Sequence, residues 1–489
     1  MDISATHLLP LLLTLILALV LRRTLLALGI GVLASAAMLS DYAPLATLAY
    51  LGDSLGGQFY LDGWQSWHLN VLAAMMLLGV MTELLARGGA VAAFGHWLER
   101  RIRDGRSARL GIMLLGWLVF IDGIFSCLAV GHISRPIAER YGLPKGQAAY
   151  LVDASASPLC SLVPFSSWGP YVMALLAAIS FLPLPPLAAF LEIARHNLYA
   201  ICTLVLLALV AWGNWGWPEA QARPTDGELR RGSPWQLLLP LLTLLTAAVI
   251  LTLYSGAQQG GGLAQWLANA DIGTAMRDAA LLACLVALLL SAVGGRKVGQ
   301  LLGDLLHGLR NISLAIAILL LTWMTGKAIA DLGVAKLLAE TAELWLSPRF
   351  LLPGIFVLCA LMAFATGTSW GTFAIMIPIC AEIAHSLAPE LLLPALSAVM
   401  AGSVFGDHCS PISDTSILSA TASGCEVQQH VLTQLPFAMM AALASLGGYV
   451  LFNLGLGYGW GLLLALGLLP VMLALLRRLT RPNYRVIGQ

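Results

Sequence analysis

Long apolar runs separated by short polar segments dominate this chain, and they predict an all-α integral membrane fold. An α-helix needs about 20 mostly apolar residues to cross a bilayer. The polar segments between the runs are too short to fold alone, so we expect one polytopic membrane domain over residues 1–489. The uninterrupted runs lie at residues 8–21, 24–39, 69–86, 186–211, 234–254, 279–293, 312–330, 432–452 and 461–476.

Two further apolar runs are interrupted by a glycine-bearing polar tip. Residues 110–135 are broken at 121–123, and residues 351–385 are broken at 365–372. A full crossing by the first run would place the basic cluster that begins at Arg135 outside, against the positive-inside tendency. Irregular backbone at membrane depth is tolerated only where protein or a cavity covers it. We therefore interpret both runs as re-entrant hairpins.

Two other runs are expected to cross the membrane as broken helices. Residues 147–181 are interrupted at 153–158, and residues 391–420 are interrupted at 406–415. Each interruption contains aspartate, serine and a proline. Proline lacks a backbone N–H and clashes with the preceding turn, so we expect each helix to open just before its proline.

Charge placement orients the segments. The turn at Arg22 and Arg23, the arginine-rich segment 87–109 and the basic C-terminus are predicted to be cytoplasmic, whereas residues 40–68 carry no Lys or Arg and are predicted to be external. An external N-terminus and a cytoplasmic C-terminus require an odd number of crossings. We predict about eleven spanning helices plus the two hairpins.

The order of elements repeats between the two halves. Each half has a hairpin with a polar tip followed by a crossing that is broken near a proline, and the two copies have opposite membrane orientation. We therefore predict inverted repeats over approximately residues 69–213 and 279–455. In membrane proteins built from inverted repeats, ion and substrate sites typically lie near the bilayer midplane, between broken helices.

Composition supports the membrane assignment and excludes several functions. Hydrophobic residues make up 59% of the chain and charged residues 10%, against about 25% charged in soluble domains. A net charge of +1 gives no reason to expect nucleic acid. The eight cysteines lack metal-ligand spacing. Without a phosphate-binding loop, zinc motif or nucleophile triad, we expect neither an enzyme nor a bound cofactor.

The polar break at residues 406–415 is the strongest candidate for an ion site. A carboxylate near the bilayer centre costs about 2.5–3.5 kcal/mol, so such groups are usually functional. Carboxylate, carbonyl and hydroxyl oxygens suit a hard cation such as Na⁺, or a proton that competes with it. Asp407 and Asp414 are the predicted Na⁺ ligands. The complete set of groups predicted to bind the cation or the proton is Asp122, Asp153, Asp407, Asp414, Thr366, Thr368, Ser369, Ser410 and Ser413.

A smaller set of residues near the same breaks could line a pocket for an organic molecule. Hydroxyl groups and two tryptophans offer hydrogen bonds and aromatic surface. His408 could instead relay protons or serve as a hydrogen-bonded structural imidazole. The set comprises Ser155, Ser157, Ser166, Ser167, Trp168, Trp370 and His408.

Three motifs resemble those of the NhaC-type Na⁺/H⁺ antiporter family, within the ion transporter superfamily. Residues 406–419 (GDHCSPISDTSILS) are similar to the family signature, and residues 367–372 (GTSWGT) and 149–158 (AYLVDASASP) are similar to two further motifs. The resemblance implies a cation-coupled secondary active transporter with re-entrant hairpins, in the inner membrane of a bacterium. One departure stands out: Asp122 is followed by Gly123, where family members often carry a second acid.

The resemblance leaves the transported species open. The first hypothesis is a Na⁺/H⁺ antiporter that works by alternating access. The alternative is a Na⁺- or H⁺-coupled carrier of a small amino acid or carboxylate, such as a malate/lactate exchanger. A channel or receptor is least favoured, because paired broken helices are what alternating access needs. The expected partners are Na⁺, H⁺, the lipid bilayer and, in the alternative, a small organic substrate, and a homodimer is left open.

Overall fold

The computed structural model describes residues 5–21, 24–215, 217, 233–258, 260, 262, 265–266, 269–333 and 347–480. Within these residues the regular elements are helices. The predicted cytoplasmic turn at Arg22 and Arg23 lies outside the described residues, as do the C-terminal Arg481 and Arg485.

The first half of the chain builds short and medium helices. Two of them, α3 and α5, fall in segments that the sequence suggested were only loops. The bounds are α1 (Leu9–Leu21), α2 (Thr24–Leu39), α3 (Pro44–Gly56), α4 (Ser66–Arg87), α5 (Ala90–Glu99), α6 (Gly105–Leu118), α7 (Gly123–Tyr141), α8 (Lys145–Cys160), α9 (Trp168–Ala177), α10 (Pro186–His196) and α11 (Leu198–Gly213).

The second half contains longer helices. The bounds are α12 (Trp235–Ala257), α13 (Ile272–Val293), α14 (Val298–Asp331), α15 (Leu351–Thr366), α16 (Ser369–Leu387), α17 (Leu392–Cys409), α18 (Asp414–Ala422), α19 (Val427–Leu451) and α20 (Tyr458–Thr480).

Nine helices of the described part are long and apolar enough to cross a membrane, and the bent pair α10–α11 would make a tenth. The nine include both arms of the second predicted hairpin, α15 and α16, because length alone does not separate a hairpin arm from a span. The predicted all-α membrane fold with interrupted helices is confirmed.

The run at residues 186–211 is bent rather than plain. Its two helices, α10 and α11, meet at Asn197 with a bend of 54°. The Asn197 side chain accepts a hydrogen bond from the N–H of Ala200 at 3.1 Å and donates to Ser161 Oγ at 3.1 Å. The asparagine therefore caps α11 and ties the bend to the end of α8.

Three of the four predicted breaks lie where the sequence placed them. Asp122 caps the start of α7 and Gly367 ends α15 with φ +70°, a conformation that glycine adopts without a Cβ penalty. The broken crossing opens between Cys409 and Asp414, around Pro411.

The prediction for Pro158 was wrong. Helix α8 continues through Pro158 to Cys160, so the segment 153–158 is helical and Asp153 lies in a continuous helix. Pro158 is the third residue from the end of the helix, and the N–H that it lacks leaves the Ala154 carbonyl without its usual helical donor. The chain leaves the helix at Ser161, whose hydroxyl donates to the Pro158 carbonyl at 2.7 Å.

Glycines let several pairs of helices approach each other to backbone contact, among them α15 with α17 and α4 with α14. On α17, a Cβ at Gly402 or Gly406 would overlap the carbonyl oxygens of Phe356 and Ala360 on α15. Gly79 of α4 and Gly308 of α14 meet in the same way. Small residues permit such close helix packing in membranes. Helices α4, α12, α13 and α14 pack on one another and form what we call the frame.

Candidate functional site

A cavity of about 680 Å³ lies between the frame and the broken helices. Its walls come from α4 and α14 on one side and α7 on the other. Its floor brings together the two predicted hairpin tips, the α17–α18 break and the start of α9. The floor residues are Asp122, Gly123, Ser167, Trp168, Gly367, Thr368, Trp370, Asp407, Asp414 and Thr415.

Asp407 is the most enclosed acid of the cavity floor, with 4% of its surface exposed. Its Oδ2 accepts hydrogen bonds from the hydroxyl of Ser369 at 2.7 Å and from the N–H of Ser369 at 3.2 Å. Its Oδ1 accepts from the hydroxyl of Ser413 at 2.5 Å.

The helix ends explain why an ionised carboxylate is tolerated at Asp407. Ser369 is the first residue of α16, and Ser413 is the N-cap of α18. Helix N-termini carry partial positive charge and free N–H groups, which stabilise an anion. A carboxylate offers about four acceptor positions, so three donors leave room for a cation beside the serine hydroxyls.

Asp122 belongs to the other hairpin tip and has a different environment. Its Oδ1 accepts from the N–H of Phe125 at 3.0 Å, which caps α7, and its Oδ2 accepts from the Ser167 hydroxyl at 2.6 Å. Ser167, named from the sequence as possible pocket lining, joins the tip to α9, because its own N–H also donates to the carbonyl of Ile121 at 2.6 Å.

Asp414 lies at the first position of α18 and is exposed to the cavity. Within the described residues it forms no ion pair or side-chain hydrogen bond. Asp407 and Asp414 therefore differ in kind, although the sequence presented them as equivalent: one is held by three donors and the other is free to meet solvent or a ligand.

Aromatic side chains cover one side of the floor. The Trp168 and Trp370 rings meet edge to face with centroids 5.9 Å apart, and Trp168 also contacts Phe373 at 5.5 Å. Tyr171 donates to the carbonyl of Trp370 at 2.9 Å. These contacts fix both tryptophans beside the acids.

The far end of the cavity is polar and lies at the last turn of α4. Glu83 and Arg87 form an ion pair there, and Asn311 of α14 donates to Glu83 at 3.1 Å. His132 of α7 lines the same end. This is the end of α4 that the charge pattern assigned to the cytoplasm.

Asp153 lies away from this cavity in a second polar cluster. Its Oδ2 accepts from Gln434 Nε2 at 2.8 Å, Ser416 Oγ at 3.1 Å and His430 Nε2 at 3.1 Å. His408 Nε2 is 4.0 Å from the same oxygen, and His408 Nδ1 is 2.8 Å from the Tyr199 hydroxyl. Asp153, His408 and His430 are all almost completely buried.

Several predicted site residues are not part of the cavity wall. Thr366, Ser410, Ser155 and Ser166 each direct their hydroxyl to a backbone carbonyl, of Met362, Phe364, Val152 and Cys160 respectively. Ser157 is buried behind Gly123, and His408 is bonded to Tyr199 and Gln434. Helix rotation, which the sequence does not reveal, turns these side chains away.

Sequence reasoning missed His430, Gln434 and Ser416. The signal for the first two was available, since His430 and Gln434 are four residues apart and therefore share one face of an apolar helix. The predicted span began at residue 432, which left His430 outside the membrane. Groups of three or more His, Cys, Asp or Glu that could hold a metal ion are absent from the described residues.

Comparison with known proteins agrees with this architecture. The model of the Na⁺/H⁺ antiporter family matches residues 159–454. An uncharacterized protein of Haemophilus influenzae is 37% identical over 469 residues, covering 91% of this chain and 90% of that protein. The malate-2H⁺/Na⁺-lactate antiporter of Bacillus subtilis is 30% identical over 162 residues, about a third of each chain.

The fold also has a solved counterpart. The YdaH transporter of Alcanivorax borkumensis superposes with a TM-score of 0.63 at 16% identity, covering 90% of this chain and 98% of that one. This likeness concerns the fold. The family match supplies the function class: the chain belongs to the Na⁺/H⁺ antiporter family and is a multi-pass membrane protein of the cation-coupled antiporter type.

Proposed function

We propose that this protein exchanges Na⁺ for H⁺ across the inner membrane of a bacterium by alternating access. The observation that carries the proposal is the position of Asp407: a buried carboxylate at the floor of a cavity, held by the N-termini of two helices at a helix break. Asp407 is the principal Na⁺ ligand, and Asp414 attracts the ion into the cavity.

The cavity supports an inward-facing state. It runs from Asp407 to Glu83 and Arg87, at the end of α4 that the positive-inside rule assigns to the cytoplasm. In this state Na⁺ and H⁺ exchange with the cytoplasm. The frame and the broken helices then move relative to each other and expose the floor to the outside. The proposal needs neither catalysis nor a bound cofactor, and it is compatible with a homodimer.

A proteoliposome assay tests the exchange. Purified protein is reconstituted with a preset pH gradient, and an internal pH dye follows the response to Na⁺ alone. Dissipation of the gradient by Na⁺, with lower apparent Na⁺ affinity at lower pH, is the expected result. Empty liposomes give the level without exchange, and an ionophore gives the level of complete dissipation. No response to Na⁺ or Li⁺ between pH 6 and 9 would exclude a simple cation exchanger.

One observation favours a second candidate, a cation-coupled carrier of a small organic substrate. The cavity volume of about 680 Å³ far exceeds what an ion needs and lies in the range of about 300–1,000 Å³ typical of small-molecule sites. Trp168 and Trp370 offer aromatic surface. The acids Asp122, Asp407 and Asp414 favour an amine or zwitterion over a dicarboxylate, unless cations bind with it.

The same liposomes discriminate between the two candidates. A carrier that requires an organic substrate should leave the pH gradient intact until that substrate is added. Amino acids, amines, malate and lactate are therefore tested with and without Na⁺. A response that appears only with an organic molecule would establish the carrier, and a full response to Na⁺ alone would establish the antiporter.

A further inference from the structure

The polar cluster around Asp153 is buried, separate from the cavity, and incomplete in its hydrogen bonding. We call it the Asp153–His430 cluster; it consists of Asp153, His408, Ser416, His430 and Gln434. The main cavity is not lined by Asp153, His430 or Gln434. Groups this deeply buried in a membrane protein are costly to keep, so they call for a function.

The hydrogen bonds fix the tautomer of His430. Asp153 is an acceptor when ionised, so the short contact from His430 Nε2 to its Oδ2 requires a proton on Nε2. In the neutral imidazole the other nitrogen, Nδ1, is then an acceptor. Nδ1 is buried and has no hydrogen-bond partner among the described residues. A buried polar atom without a partner calls for an explanation, such as a bound ion, water or a catalytic role.

From this geometry we infer that His430, paired with Asp153, binds the transported proton at a site distinct from the Asp407 cation site. The inference rests on the proposed Na⁺/H⁺ exchange and locates its proton. The proton binds at Nδ1 and converts His430 to an imidazolium, which the Asp153 carboxylate stabilises through Nε2–H. No bond other than N–H forms or breaks.

The chemistry of the cluster suits a proton rather than Na⁺. Hard cations prefer oxygen ligands, whereas imidazole is the side chain that changes charge near neutral pH. The Asp153 oxygen that faces His430 already accepts from Ser416 and Gln434. The other titratable groups around the pair are His408, Asp407 and Cys409 of α17, and Cys127 of α7, whose Sγ is 3.9 Å from Asp153 Oδ1. Beyond His408 lies Tyr199 of α11.

The first turn of α18 connects the two sites. Ser413 donates to Asp407, and Ser416 donates to Asp153. The two serines are three residues apart, which is about 4.5 Å along a helix. Two cations at sites that are joined by one helical turn repel each other in a low-dielectric interior, so each lowers the affinity for the other. Binding of Na⁺ at Asp407 therefore expels the proton from His430 without competition for one carboxylate.

Proton release on Na⁺ binding tests the inference. Purified wild-type protein in weakly buffered detergent solution, with a pH dye, should release protons when Na⁺ is added. The variant His430→Gln keeps an N–H that can donate to Asp153 but cannot take up a proton. Its proton release should fall at least tenfold. Its ²²Na⁺ binding should persist, with an affinity that no longer falls as the pH is lowered, because the competing proton is gone.

A matched control is His385→Gln, because His385 stacks on Phe181 outside the cluster. This variant should release protons as the wild type does. If His430→Gln also releases the wild-type number of protons per Na⁺, the proton binds elsewhere and the inference is wrong. If the wild type itself releases none, the proposed Na⁺/H⁺ exchange fails instead.

A measurement on the wild type removes the dependence on the variant's folding. Protein labelled with ¹³C,¹⁵N-histidine is examined by Na⁺-induced infrared difference spectroscopy. Loss of an imidazolium band on Na⁺ addition is the expected result. A difference spectrum without label-sensitive bands would overturn the inference whether or not His430→Gln can be purified.

Discussion

Asp407 and Asp153 are both buried aspartates, yet their surroundings prepare them for different ligands. Asp407 reaches the cavity and accepts from two serine hydroxyls and one helix N-terminus. Asp153 lies behind the cavity in a continuous helix and accepts from an imidazole, an amide and a hydroxyl. The contrast teaches that burial marks a functional carboxylate, while the donors around it decide which ligand it serves.

The largest expected effect is on Asp407→Asn. The variant keeps the shape of the side chain but removes the charge, and its amide N–H₂ would point at groups that are themselves donors. We expect ²²Na⁺ uptake into proteoliposomes to fall by at least about 100-fold. A buried charge that loses its partner, here Na⁺ without the carboxylate, costs about 3–5 kcal/mol.

The control for this variant is Glu192→Gln on α10, which changes an acid that is paired with Arg195 at 3.3 Å outside the cavity. It should transport normally. If Asp407→Asn takes up Na⁺ at the wild-type rate, Asp407 is not the cation site. The assignment of Na⁺ to Asp407 and of the proton to Asp153 and His430 would then be wrong.

An intermediate effect is expected for the two serines of α18. Ser413→Ala removes the hydroxyl that positions Asp407 and that is itself a predicted cation ligand, so the bound Na⁺ loses an oxygen contact. The Na⁺ Km should rise about tenfold, because a contact to a charged group contributes about 1.5–3 kcal/mol. Ser416→Ala removes a donor to Asp153, so the less stabilised carboxylate should hold the His430 proton more firmly. We expect the Na⁺ Km of Ser416→Ala to stay within about threefold of the wild-type value. The pH at which exchange is half-maximal should rise.

Each serine variant is the control for the other, since both remove one hydroxyl from the same helix. Transport is measured over a grid of Na⁺ concentration and pH. Identical changes in the two variants would mean that α18 is only a structural support, and the separation of cation and proton sites would be lost.

The smallest effect is expected for Asp414→Asn. Asp414 is exposed to the cavity and contributes mainly by attracting cations, a contribution that salt screens. The Na⁺ Km should rise about threefold in low salt and by less when choline chloride is added. Loss of transport as complete as in Asp407→Asn would restore the equivalence of the two acids that the sequence suggested.

The helix breaks were predictable because they depend on local chemistry. Gly367, the Asp122 tip and the Pro411 break all stand out as glycine, proline or charge within apolar runs, and the structure places a helix end at each. Pro158 carried the same local signal and misled, because a proline can bend a helix without ending it, and α8 continues for two residues beyond it.

The assignment of donors to acids was not predictable in the same way. Ser413 and Ser410 looked interchangeable in sequence, but one donates to Asp407 and the other to the carbonyl of Phe364. The direction of each hydroxyl depends on the rotation of α17 and α18 about their axes, which is set by packing against distant helices. His430 was missed for a related reason: the end of an apolar run does not mark the depth of the residues beside it.

The glycine contacts between α15 and α17 have a mechanical consequence. Because Gly402 and Gly406 bring the α17 backbone onto α15, these helices cannot slide past each other without steric overlap. Asp407, one residue after Gly406, is therefore carried on the same rigid block as the tip residue Gly367 at the end of α15. We therefore expect a conformational change that exposes the ion to the other side of the membrane to move this block as a whole. The bound ion would then move together with its site.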